Sequence, residues 1–204
     1  ELYRQISLFL ATALIGLVAG LAAVGFEYGS DWIFQHVIVA ASQVSFEIFA
    51  LIVIIVITGA TLLVGWLMQE YAKDAPGSGI PQVKAAYARK KLDFSWNLLW
   101  VKFFGGLLTI GTGSSLGREG PTIHIGAALA SKIAFLNKES QDAKANAICA
   151  GAAAGLAAAF NSPLAGVTLV LEEIAEGRNM EKYAGRCLLA SAVSVSMVYL
   201  ITGD

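Results

Sequence analysis

Charge is sparse along this chain, and it is sparse in blocks. Uncharged runs cover residues 6–26, 49–69, 103–117, 145–171 and 187–203. A helix that crosses a bilayer needs about 20 mostly apolar residues, and four of these runs reach or approach that length. Polar positions do not alternate with apolar ones at a helical period, as they do on the half-buried helices of a soluble domain. That argues against a large soluble helical protein with a greasy core. The pattern predicts helices over residues 8–36, 46–70, 81–90, 94–111, 121–136, 141–160, 163–175 and 180–202. A polar break, Lys73-Asp74-Ala75-Pro76-Gly77-Ser78-Gly79, separates the second helix from the short third one. Several of these segments are too short to span alone. The expectation is an all-α integral membrane protein that mixes full-span and half-span helices. It forms one continuous unit over residues 1–204, with no soluble domain and no linker.

Composition strengthens this picture. Apolar residues make up 56% of the chain and charged residues 14%, against about 25% charged in a typical soluble domain. The first apolar run is too long for a secretion signal, and more apolar segments follow it. The chain opens on Glu1 rather than an initiator methionine, so residues upstream are expected. A net charge of -1 offers no basic footprint for nucleic acid. Cys149 and Cys187 lie far apart in apolar helices and read as small hydrophobes, with no metal-ligand spacing and no evident disulfide. Arg89-Lys90-Lys91 suits the negative end of the short third helix and favours a cytoplasmic loop there. Gly16 and Gly20 are spaced to let helix backbones approach closely in lipid, as are Gly151 and Gly155 with their flanking alanine runs.

Three of the four prolines follow a small or polar residue and open an apolar helix: Gly79-Ile80-Pro81, Gly117-Arg118-Glu119-Gly120-Pro121 and Asn161-Ser162-Pro163. Proline costs little at the first helical position, where its missing N–H has no intrahelical partner. Either Asn161 or Ser162 can cap the third of these helices. Each helix start leaves about four free N–H groups and roughly half a positive charge. Inside a membrane the natural acceptor for such an end is an anion, and discontinuous helices aimed at a midplane site are a known transporter device. In Gly77-Ser78-Gly79 the glycines allow positive φ and close approach to a ligand, while Ser78 supplies a neutral hydroxyl donor. Several weak neutral donors suit a halide that must leave again. Alone, the tripeptide is equally well read as a turn.

The second helix start carries an Arg118–Glu119 pair between two uncharged stretches. In a membrane such charges mark a functional site by default. A carboxylate there competes with an anion for the same N–H groups. Burial disfavours its charged form, whereas helix dipoles and Arg118 favour it. Glu119 can then sit charged in the path or swing away neutral, which couples proton to anion occupancy. Adjacent helical residues do not face each other, so a simple Arg118–Glu119 ion pair is a poor account. Glu172-Glu173, with Glu176 beyond, reads either as a solvated helix end or as a proton access point on the opposite side. His124 reads as a packed core histidine in preference to a modifier of nearby titrations. A rival of another class is an intramembrane serine hydrolase using Ser114 or Ser78 with His124, although nothing in the sequence brings that histidine to either serine.

Gly77-Ser78-Gly79-Ile80-Pro81 and Gly117-Arg118-Glu119-Gly120-Pro121 resemble two signature motifs of the CLC chloride channel and chloride/proton antiporter family. Val101-Lys102-Phe103-Phe104-Gly105-Gly106 and the stretch 151–166 followed by Leu171-Glu172-Glu173 agree with it, in the family's order. The resemblance implies the first of two inverted-topology halves of a CLC-type subunit, with subunits paired as homodimers through segments 163–175 and 180–202. It implies an anion site at Gly77, Ser78, Gly79 and Ile80, with Ser78 on the central chloride, and backbone amides of Arg118, Glu119 and Gly120 around an outer site. It makes Glu119 the external gate and Glu173 the internal proton-transfer residue. Glu173 favours antiport over the alternative, a passive voltage- or pH-gated chloride channel. Ser78 favours chloride over nitrate. Gln82 and Lys84 depart from the acids some antiporters carry, which affects the charge network near Lys102. The family's second half supplies a further pore helix start and a tyrosine hydroxyl, and neither motif is in this chain. The expected partners are therefore chloride, protons, the lipid of a plasma or inner membrane, a second copy and a second half-domain. No cofactor and no metal is implied.

Overall fold

Among the described residues, four helices are long and apolar enough to cross a bilayer: Leu2–Val39, Phe46–Tyr71, Gln141–Phe160 and Tyr183–Thr202, of 38, 26, 20 and 20 residues. The computed structural model describes residues 2–88, 93–174 and 180–203, and among them there is no strand. In chain order the elements are α1 (Leu2–Phe34), continued by a π-helical segment Gln35–Val39, then α2 (Phe46–Tyr71), α3 (Ile80–Ala88) and α4 (Trp96–Gly111). α5 (Glu119–Leu136), α6 (Gln141–Phe160), α7 (Pro163–Glu173) and α8 (Met180–Thr202) follow. The sequence reading of full-span and half-span helices therefore holds. The expected ends of the third and seventh helices, the Arg89-Lys90-Lys91 cluster and Glu176 lie outside the described residues.

Local chemistry sets several boundaries. Ser95 starts α4 two residues later than the apolar pattern alone suggests, because its hydroxyl accepts the Leu98 N–H at 3.0 Å. Ser140 caps α6 in the same way through the Ala143 N–H. Between α6 and α7 the two candidate caps divide the work. Asn161 ends α6 in the left-handed conformation, φ 50°, and Ser162 caps α7 by accepting the Ala165 N–H. α1 begins well before residue 8, since Leu2, Arg4 and Gln5 are good helix formers that carry the helix on.

The core lies around α6, whose residues 147–158 are buried. Small residues make this possible. A Cβ on Gly126 of α5 would run into the Gly151 carbonyl of α6, and one on Gly155 would run into the Thr122 carbonyl. Gly16 and Gly20 of α1 lie in the same way against Ala190 and Ser194 of α8. Ser194 then donates to the Ala154 carbonyl of α6 at 2.9 Å, a neutral interhelical hydrogen bond of the kind that holds membrane helices together. At one end of this bundle, Arg186 of α8 makes a bidentate pair with Glu139, at 2.8 Å to each oxygen, and also donates to Thr12 Oγ1 and the Ala143 carbonyl. Every arm of the guanidinium is thus matched. In contrast, α2 buries only Ala60 and Val64 and turns Leu51, Ile54, Ile55 and Leu62 outward.

Candidate anion site

The loop before α3 is shaped by two glycines in the left-handed region, Gly77 at φ 81° and Gly79 at φ 99°. Side chains with a Cβ rarely adopt that conformation. Lys102 reaches the loop from α4. It is 3% exposed, and its Nζ donates to the carbonyls of Ala75 at 2.8 Å and Gly77 at 2.5 Å. A buried ammonium is costly unless it is matched by acceptors, and here two backbone carbonyls meet it. Lys102 is therefore a structural anchor of the loop rather than a bare charge facing it. Gln82 Nε2 makes a further tie, donating to the Pro76 carbonyl.

α5 begins two residues earlier than proline placement suggests. Arg118 already has helical dihedrals, and its carbonyl accepts the Thr122 N–H at 3.2 Å. Pro121 is tolerated there because no N–H in the first turn has an intrahelical partner. The correction matters, since it places Glu119 inside the first turn, at the positive end of the helix dipole. Its carboxylate folds back over Gly117, where a Cβ would collide with Oε2. Arg118 turns away from Glu119 and pairs with Glu27 of α1 at 2.5 Å.

The two helix starts meet. A Cβ on Gly120 would fall 2.5 Å from the Ser78 carbonyl oxygen and 2.9 Å from both Ser78 Cα and Cβ. A Cβ on Gly79 would fall 2.5 Å from His124 Cβ and 3.1 Å from the Gly120 carbonyl oxygen. Only glycine at both positions lets the starts approach this far. Beside the contact lies a cavity of about 530 Å³ lined by Gly77, Ser78, Ile80, Lys102, Gly117, Glu119 and Gly120, with apolar residues of α2 and α4 behind. Ser78 is exposed and Glu119 is half-buried. The arrangement offers an anion two helix N-termini and a hydroxyl, with one carboxylate as a competing occupant.

The other candidates fall elsewhere. Glu173 is the last residue of α7 and is exposed, away from this cavity. Ser114 lines a separate pocket with Ser30 and Asp31. Among the described residues neither ring nitrogen of His124 has a hydrogen-bond partner, so no serine–histidine pair forms. No group of three His, Cys, Asp or Glu side chains among those residues is placed to hold a metal. The roles of Lys102 and Glu27 were not drawn from the sequence. The signal for Lys102 was there: it is the single charge between Asp93 and Arg118, the same isolation that singled out Glu119. Glu27 is the first charge after the run 6–26, but nothing local ties it to Arg118.

Known proteins share these features. The family described as "Voltage gated chloride channel" matches residues 60–204. The H(+)/Cl(-) exchange transporter ClcA of Salmonella arizonae is 35% identical over 199 residues, covering 96% of this chain and 42% of that protein. The protein of the same name from Cronobacter sakazakii is 37% identical over 172 residues, covering 83% and 37%. The crystal structure of a slow cyanobacterial Cl-/H+ antiporter superposes with a TM-score of 0.85 at 29% identity, over 97% of this chain and 47% of that one. A eukaryotic CLC transporter superposes at 0.83 with 21% identity, over 100% and 39%, a likeness that speaks to the fold alone. The chain thus spans less than half the length of the relatives it matches. With two helix starts in contact, a family match over residues 60–204 and that superposition, the chain belongs to the voltage gated chloride channel (CLC) family, as an all-helical counterpart of its N-terminal half.

Proposed function

We propose that this chain forms one side of the pathway of a chloride/proton antiporter. Glu119 is the gate and proton carrier of the outer site, and Ser78 holds the central chloride. The observation that carries the reading is the contact of Gly120 with Ser78. It puts a titratable carboxylate and two helix N-termini on one cavity, which is the least apparatus that lets a proton and an anion compete for one place. The relatives named as H(+)/Cl(-) exchangers support the same reaction. Gly77, Gly79, Ile80, Arg118 and Gly120 contribute backbone to the anion site. Glu173, exposed at the end of α7, serves as the inner proton relay. A second half-domain completes the site. Two such subunits pair in a plasma or inner membrane, through the α7 and α8 face.

Flux measurements on the chain reconstituted with its second half test this. In Glu119→Gln, chloride flux persists and proton uptake driven by a chloride gradient disappears. In Glu173→Gln, chloride flux persists and proton flux falls. Undiminished proton uptake in Glu119→Gln contradicts the mechanism. A reversal potential indifferent to pH in the parent protein would instead identify a passive channel.

A further inference from the structure

A groove of about 440 Å³ lies between the start of α1 and the end of α5 and shares no lining residue with the anion cavity. Its walls are apolar: Tyr3, Ile6, Leu10 and Leu14 come from α1, Ile133 and Leu136 from α5. From Tyr3 to Leu14 the α1 wall is about 16 Å long, close to half of the ~30 Å hydrocarbon core of a bilayer. One end of the groove is polar. There the Ser7 hydroxyl donates to Asn137 Oδ1 at 3.0 Å. Arg4 stands one turn before Ser7, on the helical stripe whose later members Ser7, Ala11 and Leu14 line the groove. Lys138 follows Asn137 directly, in the left-handed conformation at φ 52°. Both cations are exposed, and neither has a hydrogen-bond or ion-pair partner among the described residues.

The same end of the bundle is basic. Lys132 lies over the Trp96 ring at 5.5 Å and Lys144 over the Phe135 ring at 5.1 Å, where aromatic and basic side chains meet at a membrane–water interface. The acids here do not cancel these charges. Glu139 is matched by Arg186, at 2.8 Å to each oxygen, and its side chain is 1% exposed. Asp142 lies in the first turn of α6 and is already engaged. A surplus of Lys and Arg at the ends of spanning helices marks the cytoplasmic side, whose leaflet carries anionic lipid. An apolar groove by itself takes any acyl chain. Two free cations at its polar end make it selective, because guanidinium and ammonium groups bind phosphate through charge-assisted hydrogen bonds.

We propose that this groove is a binding site for one anionic phospholipid, with an acyl chain between Leu10, Leu14 and Ile133 and the phosphate between Arg4 and Lys138. The groove spans the depth of one leaflet, and its charge is at the end where the headgroup lies. The site does not rest on the anion cavity.

Two measurements on the chain assembled with its second half test the proposal. Native mass spectrometry from detergent compares dioleoyl phosphatidylglycerol with dioleoyl phosphatidylcholine, which differ in headgroup charge and not in their chains. The parent binds phosphatidylglycerol with a Kd about tenfold lower, and the double variant Arg4→Gln, Lys138→Gln loses that difference. Equal affinities in the parent overturn the site. A preference that survives in the double variant puts the anionic lipid elsewhere and overturns it as well. The second measurement replaces Leu10, which is 60% exposed, by the photoreactive p-benzoylphenylalanine, in vesicles of the two lipids in equal parts. Crosslinks form to phosphatidylglycerol in preference to phosphatidylcholine. Crosslinks to protein show that a polypeptide segment fills the groove and overturn the proposal, as do equal yields with the two lipids.

Discussion

Lys102 and Glu119 are two charges in apolar surroundings, and their neighbours give them different work. Lys102 donates to the Ala75 and Gly77 carbonyls, so it holds the backbone shape of the loop. Glu119 sits in the first turn of α5, on a cavity that exposed Ser78 also lines, the place where the proposed mechanism lets an anion replace its carboxylate. Lys102→Met removes a charged donor from two carbonyls. It is expected to destabilise the protein by on the order of 2 kcal/mol and to weaken chloride binding by loosening the loop. Thermal melting in detergent, paired with chloride calorimetry, checks both effects. A fall in melting temperature with unchanged chloride affinity would confine Lys102 to folding. The Arg118 pairing could not be read from sequence, because its partner Glu27 is on another helix. The isolation of Glu119 could, because the cost of a charge in an apolar chain needs no structure to be recognised.

At the scale of elements, close backbone approach organises the molecule. The contact of α5 with α6 depends on Gly126, Gly151 and Gly155, each of which would drive a Cβ into the facing helix. Gly155→Val places two further methyl groups against the Thr122 carbonyl, in the first turns of the helix that carries Glu119. It is expected to cost about 1–3 kcal/mol or more and to displace the start of α5. Gly59→Ala, in open space on α2, is the control and should stabilise the protein by about 0.5–1 kcal/mol through helix propensity alone. The glycine spacing of these faces was legible, as were the number and kind of helices, because an apolar run long enough to span has few alternatives. The start of α5 was not. Proline is accepted anywhere in a first turn, so it marks the turn and not the first residue, and Pro121 stands third in α5 whereas Pro163 stands first in α7. The tie between Lys102 and the loop joins positions 25 and 27 residues apart, a distance over which no local pattern reports.

At the scale of the whole molecule, α6 is enclosed, the Arg186–Glu139 pair clamps one end of the bundle, and α2 stays on the outside. The anion cavity is built from α2, α4, α5 and the loop that leads into α3. The central claim is that an anion and the Glu119 carboxylate compete for one place at the start of α5. Anomalous diffraction from the chain crystallised with its second half in bromide tests this most directly. The account predicts a bromide peak beside Ser78 in the parent protein, with none at the Glu119 carboxylate, and a new peak at that vacated position in Glu119→Ala. A variant with no bromide there, or with bromide seated on the Lys102 ammonium instead, would contradict it.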